Sequence, residues 1–130
     1  MLVVDTSAVI AAVIARPFAS EIDARMRADG DLKAPHLIDI EFLHALRRLV
    51  RRRVISDVRA VAARRDFEDL AIERFPHQLL ADRIWELRTN LSAYDAAFVA
   101  LGEELEVPVV TCDQRLAGAP HRARIETFRA

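Results

Sequence analysis

Leu2-Val3-Val4-Asp5-Thr6-Ser7 opens the chain, and Val107-Pro108-Val109-Val110-Thr111-Cys112-Asp113 lies near its end. Both are short apolar runs, rich in valine, that stop at an aspartate. Such runs read as buried strands, and an aspartate at the strand end marks the junction with the next element. Ser7–Ile14 suits a helix after the first run, and a short helical turn follows the second. Between them, Pro17 opens a helix predicted to run to about Asp29, with Gly30 as its stop. Leu32–Pro35 reads as a strand and Leu37–Arg53 as a helix. Ser56–Leu70 reads as a polar, arginine-rich helix, Ile72–Phe75 as a strand, and Gln78–Arg88 and Ala93–Leu105 as helices. A last strand falls near Ile125–Phe128. Strands alternating with helices predict an α/β fold, with a parallel sheet covered on both faces.

The predicted faces follow from helical spacing. Phe42, Leu43, Leu46, Leu49 and Val50 share one arc of the 37–53 helix, with Glu41, His44, Arg48 and Arg52 roughly opposite. Leu80, Ile84 and Leu87 repeat at helical spacing. Tyr94, Phe98, Leu101 and Leu105 form an apparent core stripe.

At 130 residues, 52% apolar and 30% charged, the chain suits a single domain spanning 1–130 with a substantial core. Tandem domains, collagen-like chains and disulfide-framed miniproteins are excluded. A formal charge of −1 argues against a simple basic nucleic-acid binder. Lys33 is nevertheless the sole lysine among 19 basic residues. Arginine grips phosphate and carboxylate with a planar fork, although the bias also fits a GC-rich genome. One cysteine, Cys112, permits no internal disulfide and fits a reducing compartment. The N-terminal run lacks a basic leader and is interrupted by Asp5 and Thr6, and no window is long enough to span a membrane. A cytoplasmic location is expected.

Asp5 and Asp113 each sit at the carboxyl end of a strand, where ligands collect in open parallel sheets. Each also has a structural reading, since aspartate before a helix is a good N-cap. Ser92-Ala93-Tyr94-Asp95 resembles a capping box, with Asp95 in place of the usual Glu or Gln. Glu41 on its own reads as a solvated glutamate near Arg48.

The words around these acids occur in a telling order. Val3-Val4-Asp5-Thr6-Ser7-Ala8, the Glu41 helix, Ala93-Tyr94-Asp95-Ala96-Ala97-Phe98-Val99-Ala100-Leu101 and Val109-Val110-Thr111-Cys112-Asp113 together resemble a PIN domain of the VapC type. That family comprises ribonuclease toxins of toxin–antitoxin pairs. The resemblance covers nearly the whole chain and implies a three-layer fold, a mostly parallel sheet with helices on both faces. It puts the family's acidic quartet on Asp5, Glu41, Asp95 and Asp113, and Thr111 on a hydroxyl often found beside the last acid. A further acid present in some members beyond Asp113 is missing, because Gln114, Arg115 and Leu116 follow. That puts a second metal site in doubt.

The implied activity is Mg2+-dependent RNA hydrolysis, with Mn2+ as a substitute. Asp5 and Asp95 would be the principal metal ligands, Asp113 would ligate directly or through water, and Glu41 would be a water-mediated ligand or would position the attacking water. Crowded carboxylates repel one another unless a cation neutralises them, and these hard ions prefer oxygen ligands. Arg48 and Arg52, on the face of Glu41, would grip flanking phosphates. With only 6% aromatic residues, a base-stacking platform is not expected.

The resemblance also implies a VapB-like antitoxin that blocks the acidic groove, a hetero-oligomer with it, and homodimers. Val9, Val13 and Phe18 are candidates for the homodimer interface, with ordinary core packing as the other reading. The alternative function is a catalytically inactive PIN module that binds antitoxin or RNA. Other readings fail at named residues. A haloacid-dehalogenase-like phosphatase needs an aspartate where Ser7 stands. A receiver domain needs a lysine after a late strand. Glu41-x-x-His44 lacks the second copy that a di-iron bundle requires, and no Gly-x-Ser-x-Gly elbow exists.

Overall fold

The computed structural model describes residues 1–14 and 20–129. Among the described residues, five strands form one sheet: β1 (Leu2–Val4), β2 (Leu32–Pro35), β3 (Ile72–Phe75), β4 (Val109–Thr111) and β5 (Ile125–Thr127). Their order is β3-β2-β1-β4-β5 and every pairing is parallel. The helices are α1 (Thr6–Val13), α2 (Ser20–Asp29), α3 (Ile38–Arg51), α4 (Asp57–Asp69), α5 (Ala81–Glu86), α6 (Ala93–Leu105) and the short α7 (Arg115–Gly118).

Beginning from the central β1, the chain moves outward to β2 and β3, then crosses back to β4 and β5 on the other side. Parallel crossovers are right-handed, so the two directions of travel deliver helices to opposite faces. Accordingly α1 packs with α2, α3 and α4, while α6 packs with α5 and lies on β1, β2 and β4. The three-layer arrangement expected from the sequence is the one observed. β1 and β4 are fully buried, which is why they read as continuous apolar runs without alternation.

The reversal of winding lies between β1 and β4. Val3 is in register with Val109 and Val4 with Val110. The register therefore carries Asp5 and Thr111 to the same level at the carboxyl edge of the sheet. A crevice opens there because the chain leaves the two strands toward opposite faces.

Helix ends follow local chemistry. Ser56 caps α4 by accepting the Arg59 N–H at 3.0 Å. Gly30, at φ +71, ends α2 in the left-handed region that glycine enters freely. Gly102 serves another purpose. A Cβ there would stand 2.4 Å from a Val109 methyl, so α6 approaches β4 more closely than any side chain at this position allows.

Several expectations are corrected. Tyr94 is 64% exposed and leaves the core stripe to Phe98 and Leu101. Leu43 is also exposed, and α3 buries Ile38, Phe42 and Leu46 instead. The predicted 78–88 helix is three pieces: a 3-10 turn (His77–Leu80), α5, and a second 3-10 turn (Leu87–Thr89). Its apolar positions Leu80 and Leu87 are buried all the same. β4 begins two residues later than expected, since Pro108 has no N–H for a ladder and contributes only its carbonyl, to Val3 N–H at 2.9 Å. Val9 and Val13 are core residues with at most 2% exposure, so they supply no interface. Phe18 and the Pro17 helix start lie outside the described residues.

Candidate active site

A cavity of about 230 Å³ opens at the β1/β4 edge, lined by Asp5, Thr6, Ser7, Glu41, His44, Ala45, Arg48, Asp95, Phe98 and Asp113. All four acids singled out in the sequence meet here, from four separate elements.

Asp5 caps α1, its Oδ1 accepting the Ala8 N–H at 2.9 Å and the Ser7 hydroxyl at 2.7 Å. Its Oδ2 accepts a short bond from the Thr111 hydroxyl. Capping and facing the cavity are thus compatible. A carboxylate has about four acceptor sites, and three donors leave room for one more partner. Burial pushes the Asp5 carboxyl above its ordinary value; the bonds from Thr111, Ala8 and Ser7 offset this only in part, and the charge of Asp95 adds to it.

Glu41 stands on the stripe of α3 formed by Glu41, His44, Ala45 and Arg48, beside the buried stripe of Ile38, Phe42 and Leu46. Its partner is not an arginine. The Thr6 hydroxyl donates to its Oε1 at 2.6 Å, joining α3 to the start of α1. Partial burial raises the Glu41 carboxyl, with the Thr6 bond opposing, Asp95 and Asp5 adding to the rise, and His44 opposing. The acids therefore act on one another electrostatically.

Asp95 enters from the first turn of α6, where Ser92 accepts its N–H at 3.1 Å as the cap. Asp113 follows β4, its N–H donating to Thr111 Oγ1 at 2.9 Å. Arg115 holds the Asp113 carboxylate in a fork, Nη2 to Oδ2 at 2.6 Å and Nε to Oδ1 at 3.0 Å. This keeps the Asp113 carboxyl below the usual carboxylate range. Thr111 Oγ1 therefore joins the Asp5 carboxylate to the backbone N–H of Asp113. Ser7 adds a third link, its Oγ accepting the Cys112 N–H at 2.9 Å.

Of the two candidate phosphate-binding arginines, Arg48 lines the cavity and Arg52 does not. Helical spacing alone puts them on one face, but α3 ends at Arg51 and the backbone turns at Arg53 with φ 59. Arg52 is left as an exposed cap residue. Sequence reasoning missed Thr6 and Ser7 as binding groups, although Asp-Thr-Ser was the local signal, and missed Arg115 altogether.

Among the described residues, no three His, Cys, Asp or Glu side chains converge as a ready-made metal cage. The donor set is four carboxylates around one opening, with several oxygens already held by internal donors. That suits Mg2+ or Mn2+, which binds through one or two carboxylates and keeps several waters. It does not suit a closed, all-protein site.

The sequence matches the PIN domain model over residues 2–121. The chain is 43% identical to ribonuclease VapC9 of Mycobacterium tuberculosis over 117 residues, covering 90% of this chain and 89% of that protein. It is 40% identical to ribonuclease VapC1 of the same organism over 119 residues, covering 91% and 90%. In fold it is similar to VapBC2 of Rickettsia felis, a structure bound to a promoter DNA fragment, with a TM-score of 0.74, 11% identity and 98% of each chain covered. Sheet order, the acids at its switch point and a family match over nearly the full length agree, and the chain belongs to the PIN-domain family, among the VapC proteins.

Proposed function

We propose that this protein is an Mg2+-dependent endoribonuclease, with Mn2+ as a substitute, and the toxin of a VapBC-type pair. The observation that carries the reading is the meeting of Asp5, Glu41, Asp95 and Asp113 around one cavity, in a chain 43% identical to ribonuclease VapC9. Asp5 and Asp95 would be the principal ligands, with Asp113 holding the ion directly or through water. When bound, such an ion supplies positive charge for the phosphoryl oxygens and lowers the pKa of water.

The remaining work falls to the chain. Thr111 and Ser7 fix the Asp5 carboxylate, and Thr6 fixes Glu41, so the acids need little reordering as substrate arrives. Glu41, held by the Thr6 hydroxyl at 2.6 Å, positions the attacking water. Arg48, at the cavity wall, binds a phosphate beside the scissile one. A VapB-like antitoxin is the proposed partner, and an arginine from it would find charge complementarity in this opening.

Incubation of purified protein with RNA tests the reading. Internal cleavage is expected with Mg2+ or Mn2+, with loss in excess EDTA and recovery on adding the metal back. Cleavage that persists in EDTA rejects the metal. No cleavage, together with a silent calorimetric metal titration, favours the non-catalytic binding module.

Arg48 makes a separate prediction. Each phosphate contact to a single strand contributes about 0.7 to the slope of log affinity against log salt. Binding of RNA by Arg48→Ala should show that reduction in slope, and Arg52→Ala a smaller one. An unchanged slope in Arg48→Ala removes it from the binding surface.

A further inference from the structure

Arg115 lies next to the proposed metal-binding acids and has no part in the mechanism above. Its Nη2 is 2.6 Å from Asp113 Oδ2 and 3.7 Å from Asp95 Oδ2, so one guanidinium bridges two of the acids. Both Asp113 oxygens are engaged by the fork. The side chain is nevertheless 80% exposed, so packing does not hold it in place. Its backbone N–H also bonds Asp113 Oδ1 at 3.0 Å, which fixes the main chain while leaving the guanidinium able to leave.

We infer that Arg115 is a tethered counter-ion that occupies Asp113 and Asp95 until a divalent cation displaces it, and so sets the affinity of the site for metal. This rests on the metal-dependent reading above. The physical case is charge balance. Two carboxylates facing one opening need a cation between them, and arginine satisfies them bidentately. An exposed arginine–carboxylate pair is weak, so a doubly charged ion with oxygen affinity takes its place at moderate concentration. The displaced guanidinium moves into solvent without leaving a cavity behind. Arg115 is thus a positioning residue, acting on the metal site through its acids.

The test is calorimetric titration of Mn2+ into the full chain and into Arg115→Ala, Arg115→Gln and Arg115→Lys, without RNA. Removing the competitor should tighten Mn2+ binding about two- to five-fold in the Ala and Gln variants. Lysine keeps the charge but loses the fork, and should fall between. The rise in melting temperature on adding Mn2+ should be larger in Arg115→Ala than in the native chain. Equal or weaker Mn2+ binding in Arg115→Ala overturns this role and leaves the metal-dependent reading standing. Absence of binding in every protein overturns both.

Discussion

Asp5→Asn is expected to lower RNA cleavage by at least about a hundred-fold while leaving the metal-free fold as stable as before, or more so. Loss of groups that merely orient a metal ligand typically costs about 10–100-fold, and a direct ligand should exceed that. The stability side follows from burial. Asp5 is 6% exposed and its carboxyl is raised above the ordinary value by desolvation. A group with a raised folded-state pKa contributes stability below its unfolded pKa, and this is lost as pH rises through the folded value. Once pH has risen through that folded-state value, the ionised Asp5 weighs against the metal-free fold. Asparagine keeps an acceptor oxygen for the Ala8 N–H and removes the charge.

Asp113 works in the opposite sense. Its pKa is lowered by Arg115, so its contribution is lost as pH falls. The informative quantity is accordingly the difference in melting temperature between Asp5→Asn and the native chain, measured against pH in EDTA. It should grow in favour of Asn as pH rises through the raised Asp5 value. Full cleavage by Asp5→Asn would sink the mechanism, and a pH-independent difference would sink the electrostatic account.

The second large effect is structural. Phe42 is fully buried and its ring stacks on Phe67, with centroids 4.0 Å apart and planes 8° from parallel. Phe42→Ala should cost about 3–5 kcal/mol, a large share of the roughly 5–15 kcal/mol that holds a domain together. The melting temperature should fall by on the order of 10–20 °C. Because Phe42 neighbours Glu41 on α3, the Thr6–Glu41 bond at 2.6 Å depends on its seating. Cleavage should therefore fall even where the variant remains folded. Thermal melting and RNA cleavage below the transition measure the two effects separately. A loss under about 1 kcal/mol would show that α3 is not anchored by this ring.

Much of the site was legible because it is built at chain junctions. Asp5 and Asp113 end apolar strands, which placed them where ligands collect. Asp95 read locally only as part of a capping box with Ser92, and the family resemblance of its surrounding word assigned it to the site. Glu41 was harder. Helical spacing separates the polar side of α3 from the apolar one but does not say what faces it. The solvated reading failed because Thr6, distant in sequence, closes over it. The opposite error occurred at Arg52, where a correct period was carried one residue past the end of the helix. Tyr94 failed likewise, since a stripe describes which residues align and not how far the covering layer extends.

Near-neutral charge argued against nucleic acid until the charges were located. The acids meet at the cavity, Arg48 stands on its wall, and Arg115 neutralises Asp113 directly. A net charge sums over positions and is blind to such separation.

The sequence by itself determined the alternating strands and helices and the parallel sheet, and its resemblance to the PIN family picked out the four acids. The first rest on local periodicity and the second on short words around each acid, both of which are properties of short segments. Only the tertiary structure decided that the four acids share one opening, that Thr6 and Thr111 fix two of them, and that Arg115 bridges Asp113 and Asp95. Those contacts depend on the β1–β4 register and the reversal of winding beside it. Register is set by packing across the whole sheet, so no single segment carries it.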